Sequence, residues 1–179
     1  MLISLFTNKL PLQNQRKIIE VAHGLDINPN WLASVIYFET SKTFNPKIKN
    51  KIGSVGLIQF TRDKSGVDYK TINGIKYQLS DIQKMSFNEQ MDLVYLYLKR
   101  FKGIMNSFTD VYFAVFFPFA MNNENTFVLQ TKSLSSSLIA NQNPIFDTNK
   151  DNKITKKEVT DFFKNYFQKN FSLINKKKL

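Results

Sequence analysis

The sequence predicts a mainly α-helical protein, and three amphipathic runs support this prediction. The first covers residues 29–41. Asn28 precedes it, Pro29 is its first residue, and apolar residues lie on one helical face. The second covers residues 86–98 and opens with a serine followed three residues later by a glutamate, the capping-box pattern of a helix start. The third covers residues 155–167 and has an aromatic face. This spacing favours helices that pack against a core by one face.

The composition predicts one folded domain with a small appendage. The chain has 179 residues, of which 42% are hydrophobic and 22% charged, and it contains no cysteine. A chain of this length can bury one good core, and a chain without cysteine has neither a disulfide framework nor a thiolate metal site. We therefore expect a domain over residues 1–143 and a C-terminal appendage over residues 144–179.

The net charge of +11 is compatible with more than one acidic partner. Nucleic acid is one such partner. No recognisable nucleic-acid-binding motif is present, however, and the lysines are spread along the chain, so we expect no nucleic-acid partner. An anionic cell envelope explains the same charge, and so does simple solubilisation of an aromatic-rich chain.

The apolar run at residues 1–6 is too short for the hydrophobic region of a signal peptide. No run in the sequence approaches the roughly 18 apolar residues of a transmembrane helix. The sequence therefore predicts neither a signal peptide nor a transmembrane segment.

Glu39 is the first candidate for chemistry. Leu32, Val35, Ile36 and Glu39 are spaced i, i+3, i+4 and i+7, so the carboxyl group shares a helical face with apolar side chains. It also falls in the last helical turn, where the helix dipole disfavours a negative charge. Both effects raise a carboxyl pKa, and a carboxyl group that keeps its proton near neutral pH can act as a general acid. The alternative is an ordinary solvated glutamate at a helix end.

A longer motif begins at Glu39. It reads Glu39-Thr40, then Phe44-Asn45-Pro46, then Asn50, and then Gly53-Ser54-Val55-Gly56-Leu57-Ile58-Gln59-Phe60. This pattern resembles the core motif of soluble lytic transglycosylases and goose-type lysozymes, and its ending is most similar to transglycosylase-type proteins encoded by bacteriophages. The resemblance implies a lysozyme-like helical fold with a cleft beside Glu39. It makes Glu39 the catalytic acid and Thr40, Ser54 and Gln59 substrate-binding residues, with Thr40 in place of the usual serine.

The activity that the resemblance implies is cleavage of the β-1,4 bond between N-acetylmuramic acid and N-acetylglucosamine in peptidoglycan. A transglycosylase needs only Glu39, whereas a hydrolase usually needs a second carboxylate, for which Asp63 and Asp68 are the nearest candidates. The implied location is the virion or the host cell envelope, reached by phage-dependent delivery, with other virion proteins as further partners. The alternative function is a non-catalytic structural or peptidoglycan-binding virion protein with the same fold.

The segments around these motifs carry weaker signals. Residues 13–24 predict a helix that ends at Gly24, because glycine is common just beyond a helix C-terminus. Residues 42–56 are rich in Lys, Asn, Gly and Ser and predict a loop. The Asn73-Gly74 pair predicts a turn, with a short hairpin around it.

The run at residues 109–120 is apolar on almost every face, so its periodicity is compatible with a buried helix or a buried strand. Thr109 or Asp110 can cap a helix start, and Pro118 should kink or end it. The phage proteins have a similar segment, D-(L/V)-Y-x-A-V-x-x-P, which favours the helix and makes Tyr112 a candidate substrate-binding residue. The alternative for Tyr112 is a core position with its hydroxyl group hydrogen-bonded inside the protein.

The appendage begins with a loop that is similar to the EF-hand calcium loop, D-x-[DN]-x-[DN]-G-x5-E. The matching donors are the side chains of Asp147, Asn149 and Asp151, the backbone carbonyl of Lys153, the hydroxyl or a bound water of Thr155, and both carboxylate oxygens of Glu158. Calcium prefers oxygen ligands in this number, so the pattern predicts one structural Ca²⁺ and no cofactor for catalysis. Asn152 stands where the EF-hand has glycine, and asparagine tolerates a positive φ better than most residues. The alternative is a metal-free turn that caps the last helix.

Overall fold

The structure, a computed structural model, describes residues 1–176 and confirms a mainly α-helical chain with one small two-stranded sheet. None of the helices in this described part is long and apolar enough to cross a membrane. The run of three lysines at 176–178 predicts disorder at the end of the sequence, and residues 177 and 178 lie outside the described residues. The α-helices are α1 Ser4–Thr7, α2 Leu12–Leu25, α3 Pro29–Glu39, α4 Leu79–Lys84, α5 Phe87–Leu98, α6 Phe108–Phe116, α7 Ser136–Gln142, α8 Lys156–Phe167 and α9 Phe171–Ile174, and the strands are β1 Tyr69–Ile72 and β2 Ile75–Gln78.

The chain divides into two compact units. The first comprises residues 1–103 together with Lys176, and the second comprises residues 104–175. The predicted boundary after residue 143 does not coincide with this division, because α6 and α7 belong to the same unit as the EF-hand-like loop. The whole motif from Glu39 to Phe60 therefore lies within the first unit, and the EF-hand-like loop lies within the second.

In the first unit, α2 packs against both α3 and α5. The predicted end of α2 at Gly24 is wrong: the helix continues to Leu25, and Asp26 supplies the left-handed residue at its end, with a φ of 62°. Gly24 serves the packing instead, since a Cβ atom there would lie 3.0 Å from the Tyr95 ring. A glycine inside a helix is thus explained by close approach to α5, not by capping.

Helix α3 begins where its sequence pattern predicts and ends two residues before the predicted end at residue 41. The Asn28 side chain accepts a hydrogen bond from the Asn30 amide at 2.9 Å, and Pro29 is the first helical residue. The helix then runs to Glu39, its last residue, and Thr40 is its C-cap. Almost every side chain before Phe38 is buried, which holds the helix end firmly in the unit.

The predicted turn at Asn73-Gly74 joins β1 to β2 in an antiparallel hairpin. Both turn residues have positive φ values, 50° and 81°, as a two-residue type I′ hairpin turn requires. The capping box predicted at Ser86 and Glu89 is also confirmed, with Ser86 accepting from the Glu89 amide and Glu89 accepting from the Ser86 amide. It starts α5, the helix that anchors the loop described below.

In the second unit, the apolar run at 109–120 is a helix, α6. The sequence predicts Thr109 or Asp110 as its N-cap, but the N-cap is Ser107, which accepts a hydrogen bond from the Asp110 amide at 3.1 Å. The helix ends at Phe116, two residues before Pro118, as predicted. Asp110 is almost fully buried and instead forms an ion pair with Lys156, at 3.3 Å, which ties α6 to the first residue of α8.

Candidate active site

The Glu39 carboxylate is partly buried at the last residue of α3 and has no hydrogen-bond or ion-pair partner among the described residues. In the described part of the chain, the Trp31 indole nitrogen is the one fully buried side-chain nitrogen or oxygen atom that has no hydrogen-bond partner. The Glu39 oxygens also have no partner, so they are not fully buried and are accessible from the surface. Burial, which withdraws the carboxyl group from water, raises the pKa of Glu39 to about 8. The side chain is therefore a carboxylic acid at neutral pH that can donate its proton to a ligand.

The backbone directly after Glu39 is unusually strained. Ser41, Lys42 and Phe44 all have left-handed conformations, with φ values of 51°, 71° and 56°. Such values are uncommon for residues other than glycine, and for a bulky residue such as Phe44 they persist only when packing enforces them. The Phe44 ring is buried and contacts the rings of Phe6 and Tyr37, with centroids at 6.1 and 5.5 Å. Strain of this kind clusters at functional sites, so it supports the assignment of this region as the site.

Thr40 holds this strained turn together. Its hydroxyl group donates to the Ile36 carbonyl at 2.7 Å and accepts from the Phe44 amide at 2.9 Å, and its side chain is fully buried. The only hydroxyl hydrogen is thus used within the protein. In this structure Thr40 positions the segment after Glu39, and it does not present its hydroxyl group to a substrate.

The loop with the Gly56-Leu57-Ile58-Gln59 element is fixed by Gln90, a residue that the sequence analysis did not single out. The buried Gln90 side chain accepts from the Leu57 amide at 2.9 Å and donates to the carbonyls of Pro46 and Ile82, at 2.6 and 2.7 Å. A signal was available, because Gln90 lies on the apolar face of α5, three residues after Phe87. A polar residue on such a face needs a partner, and here it binds loop backbone.

Gly56 is required by this arrangement for two reasons. Its φ is +81°, and a Cβ atom built on it would lie 2.3 Å from Oε1 of Gln90. No side chain fits there unless Gln90 moves. The glycine of the motif therefore allows the loop backbone to approach the Gln90 amide closely enough to be held by it.

Gln59 and Ser54 differ in their solvent exposure and in whether their side chains have a free hydrogen-bonding group. Gln59 is partly exposed with a φ of 53°, and its Nε2 donates to the Gly56 carbonyl at 2.9 Å. Its Oε1 has no partner within the described residues, so it remains an acceptor for a ligand. Ser54 is buried, and its hydroxyl group pairs with that of Thr61 at 2.8 Å. The geometry is thus compatible with ligand binding by Gln59, whereas the Ser54 hydroxyl is engaged with a neighbour.

Asp63 and Asp68, the candidates for a second carboxylate, lie at the hairpin. Asp63 accepts from the Thr71 amide at 2.9 Å and forms an ion pair with Lys70 at 3.2 Å. Burial tends to raise the pKa of Asp63, but the hydrogen bonds from Thr71 and Lys70 outweigh it and lower that pKa. Asp63 is therefore an ionised, structurally engaged group. Asp68 is exposed at the strand entry, where its carbonyl accepts from the Leu79 amide.

Tyr112 is placed in the aromatic core of the second unit. It is 2% exposed, and its ring contacts those of Phe146 and Phe163, with centroids at 5.8 and 4.6 Å. This is the position that the core alternative for Tyr112 predicts.

The EF-hand-like loop is folded by its own acidic and amide side chains. Asp147 accepts from the amides of residues 151 and 152, Asn149 accepts from the amide of residue 151, and Asp151 accepts from that of Lys153. Asn152 has a φ of 63°, which confirms that asparagine adopts the conformation of the replaced glycine. Ile154 is fully buried, and its carbonyl accepts from the Leu129 amide at 2.8 Å, so the loop is anchored to its unit.

Glu158 is occupied by the start of α8. Its Oε2 accepts from the Thr155 amide and hydroxyl, both at 2.9 Å, in a capping box, and its Oε1 accepts from Thr148. The donors are of the type that calcium prefers. Nevertheless, no group of three or more His, Cys, Asp or Glu side chains in residues 1–176 is gathered closely enough to hold a metal ion. Calcium binding at this loop stays a prediction.

Comparisons with known proteins do not identify the chain: no family profile matches it, and neither a curated protein nor a solved structure is significantly similar to it.

Proposed function

We propose that the protein is a peptidoglycan lytic transglycosylase that uses Glu39 as its one catalytic carboxylate. The observation that carries this proposal is the Glu39 side chain, a partly buried, unpaired carboxyl group with a pKa raised to about 8. The choice of peptidoglycan as the substrate comes from the motif between Glu39 and Phe60. A lysozyme-like fold for the helical chain is part of the same proposal.

In the proposed reaction, Glu39 donates its proton to the oxygen that leaves when the β-1,4 bond breaks. The resulting carboxylate then removes the proton from the C6 hydroxyl group of the muramic acid, and that oxygen closes a 1,6-anhydro ring. A pKa near the working pH suits a group that must give up and regain a proton in one cycle. Because Glu39 is protonated below a pH of about 8, activity is expected to decline as the pH rises above that value.

A single-carboxylate reaction is favoured over hydrolysis by the state of Asp63. Its carboxylate is held by Thr71 and Lys70 in the hairpin, which leaves it poorly suited to activate a water molecule. The charge of +11 suits an enzyme that works on an anionic envelope, to which phage-dependent delivery would bring it.

The product chemistry tests this proposal directly. Purified peptidoglycan is digested and the soluble fragments are analysed by mass spectrometry. Fragments with 1,6-anhydromuramic acid ends are expected; reducing ends would instead indicate a hydrolase. If no fragments are released, the alternative gains support, namely a non-catalytic structural or peptidoglycan-binding virion protein.

Replacing Gln59 by alanine is expected to weaken cleavage without abolishing it. The free Oε1 can accept a hydrogen bond from the substrate, and losing one such bond costs about 1–3 kcal/mol, a fall of roughly 5- to 150-fold in kcat/KM. The steady-state rate is compared with that of Gln13→Ala, an exposed glutamine on α2. Equal rates for the two variants would place Gln59 outside the substrate site.

We also propose that the loop at 147–158 binds one calcium ion for stability, held by Asp147, Asn149, Asp151, the Lys153 carbonyl and Glu158. Calcium at a hundredfold excess over its Kd would stabilise the folded state by about 2.7 kcal/mol. Melting is measured with calcium and with a chelator for the wild type and for Glu158→Gln. Glutamine retains the capping box, so the two proteins should melt alike in chelator, and calcium should raise the melting temperature of the wild type more. Identical curves in all four conditions would leave the loop as a metal-free cap.

A further inference from the structure

A groove of about 570 Å³ lies in the first unit, between the hairpin turn and the C-terminal end of α5. Its hairpin side is formed by residues 71–74. The side chains opposite include Tyr97, Lys99 and Arg100, and none of the described residues that line the groove is acidic. None of the residues of the Glu39 motif lines it, so it is separate from the candidate active site.

The two cations of the groove are not neutralised. Neither Lys99 nor Arg100 has an ion pair within residues 1–176, whereas the neighbouring Lys70 is paired with Asp63. The Arg100 guanidinium lies against two rings, 4.5 Å from the centre of Tyr97 and 4.6 Å from that of Phe101. Contacts of this kind hold the guanidinium beside the rings while leaving its N–H groups available to an oxyanion.

From this arrangement we propose that the groove is an oxyanion-binding site for the phosphate or carboxylate groups of an anionic cell-wall polymer. An arginine fork recognises two oxygens of such a group at once, and an adjacent lysine adds a second positive charge. The choice of a wall polymer rests on the proposed function. Binding there would hold the protein on the wall while Glu39 works on the glycan strand.

The aromatic contacts favour a polymer without bases over a single-stranded nucleic acid. Base recognition by such grooves uses an aromatic face on which a base can stack. Among the described residues, Tyr97 is the only aromatic side chain that lines this groove, and its ring already contacts Arg100, Lys70 at 5.9 Å and the Phe60 ring at 6.1 Å. The groove thus offers charge without an open stacking platform.

The test measures binding by titration calorimetry with three soluble probes: poly(glycerol phosphate), poly-glutamate and single-stranded DNA. The groove variant is Lys99→Gln with Arg100→Gln. The matched control is Lys9→Gln with Arg16→Gln, which removes the same charge from exposed positions outside the groove. Because poly(glycerol phosphate) and poly-glutamate contain no glycosidic bond, their binding is independent of whether the protein cleaves peptidoglycan.

The groove variant is expected to bind poly(glycerol phosphate) or poly-glutamate at least tenfold more weakly than the wild type, with the control within twofold. The polymer bound more tightly by the wild type identifies the group as phosphate or carboxylate. Arg100→Lys keeps the charge but not the fork, and it is expected to lose part of the affinity. Equal losses in the groove and control variants would overturn the site, and a tighter, groove-dependent binding of DNA would overturn the choice of partner.

Discussion

Replacing Glu39 by glutamine is expected to reduce peptidoglycan cleavage to below about 1% of the wild-type rate, since general acid catalysis contributes roughly 10²- to 10⁴-fold. The amide is nearly isosteric with the carboxyl group but has no proton to donate at any accessible pH. The matched control is Glu124→Gln, an exposed glutamate in the other unit, which should cleave like the wild type. More than a few per cent of residual activity in a folded Glu39→Gln protein would exclude this residue as the acid.

The same variant reports the pKa of Glu39 without any substrate. The reference pKa of a glutamate carboxyl group is 4.5, whereas burial in the folded protein raises the pKa of Glu39 to about 8. Between these values the folded state keeps a proton that the unfolded state has lost, so stability decreases as the pH rises through this window. Glutamine has no such dependence. The melting temperature of the wild type relative to Glu39→Gln should therefore fall between pH 4.5 and 8 and level off above it; a constant difference would mean that the carboxyl group is solvated.

Among the substitutions proposed for this protein, replacing Gln90 by methionine is expected to lower the free energy of unfolding the most. Methionine fills a similar volume but makes none of the three hydrogen bonds to the backbone of Leu57, Pro46 and Ile82. The Ile82 carbonyl keeps the Met85 amide as a partner, at 3.2 Å, whereas the Leu57 amide and the Pro46 carbonyl lose theirs. Each backbone group left without a partner costs about 1–3 kcal/mol, so we expect a loss of about 2–6 kcal/mol. Chemical denaturation measures this difference, and the loop should become more accessible to proteases.

Gln83 provides a matched control for this substitution. It donates one hydrogen bond to the same segment, to the Lys47 carbonyl at 2.9 Å, but from a partly exposed position. Water can replace that bond, so Gln83→Met should cost less than about 1 kcal/mol. Similar losses for the two variants would show that the loop is held by something other than the Gln90 amide.

The elements predicted correctly are those whose signals are local. The N-cap of α3, the capping box of α5, the hairpin turn at Asn73-Gly74 and the start of α8 each depend on bonds between residues a few positions apart, so the residue types alone specify them. The raised pKa of Glu39 also follows from local spacing, because helical periodicity placed it on an apolar face. These are the parts of the fold and of the site that sequence reasoning reached.

The parts that were missed depend on distant residues. Gly24 has the residue type of a helix end, but contact with Tyr95 explains it, and nothing within α2 specifies that contact. The burial of Thr40 by hydrogen bonds and of Tyr112 by aromatic packing could likewise not be read from the motif, and their substrate-binding roles stay predictions. The role of Gln90 spans 44 residues of sequence, from Pro46 to α5. Local patterns carry no information about such pairings.

The close approach of Gly56 to Gln90 has a consequence for how this sequence can diverge. With 2.3 Å between a Cβ at position 56 and Oε1 at position 90, neither position can change freely while the other stays as it is. A side chain at 56 is strained by the positive φ in any case, and it also requires residue 90 to be shortened, a step that removes the support of the loop. In any set of related sequences, the glycine and the glutamine are therefore expected to be inherited together or lost together.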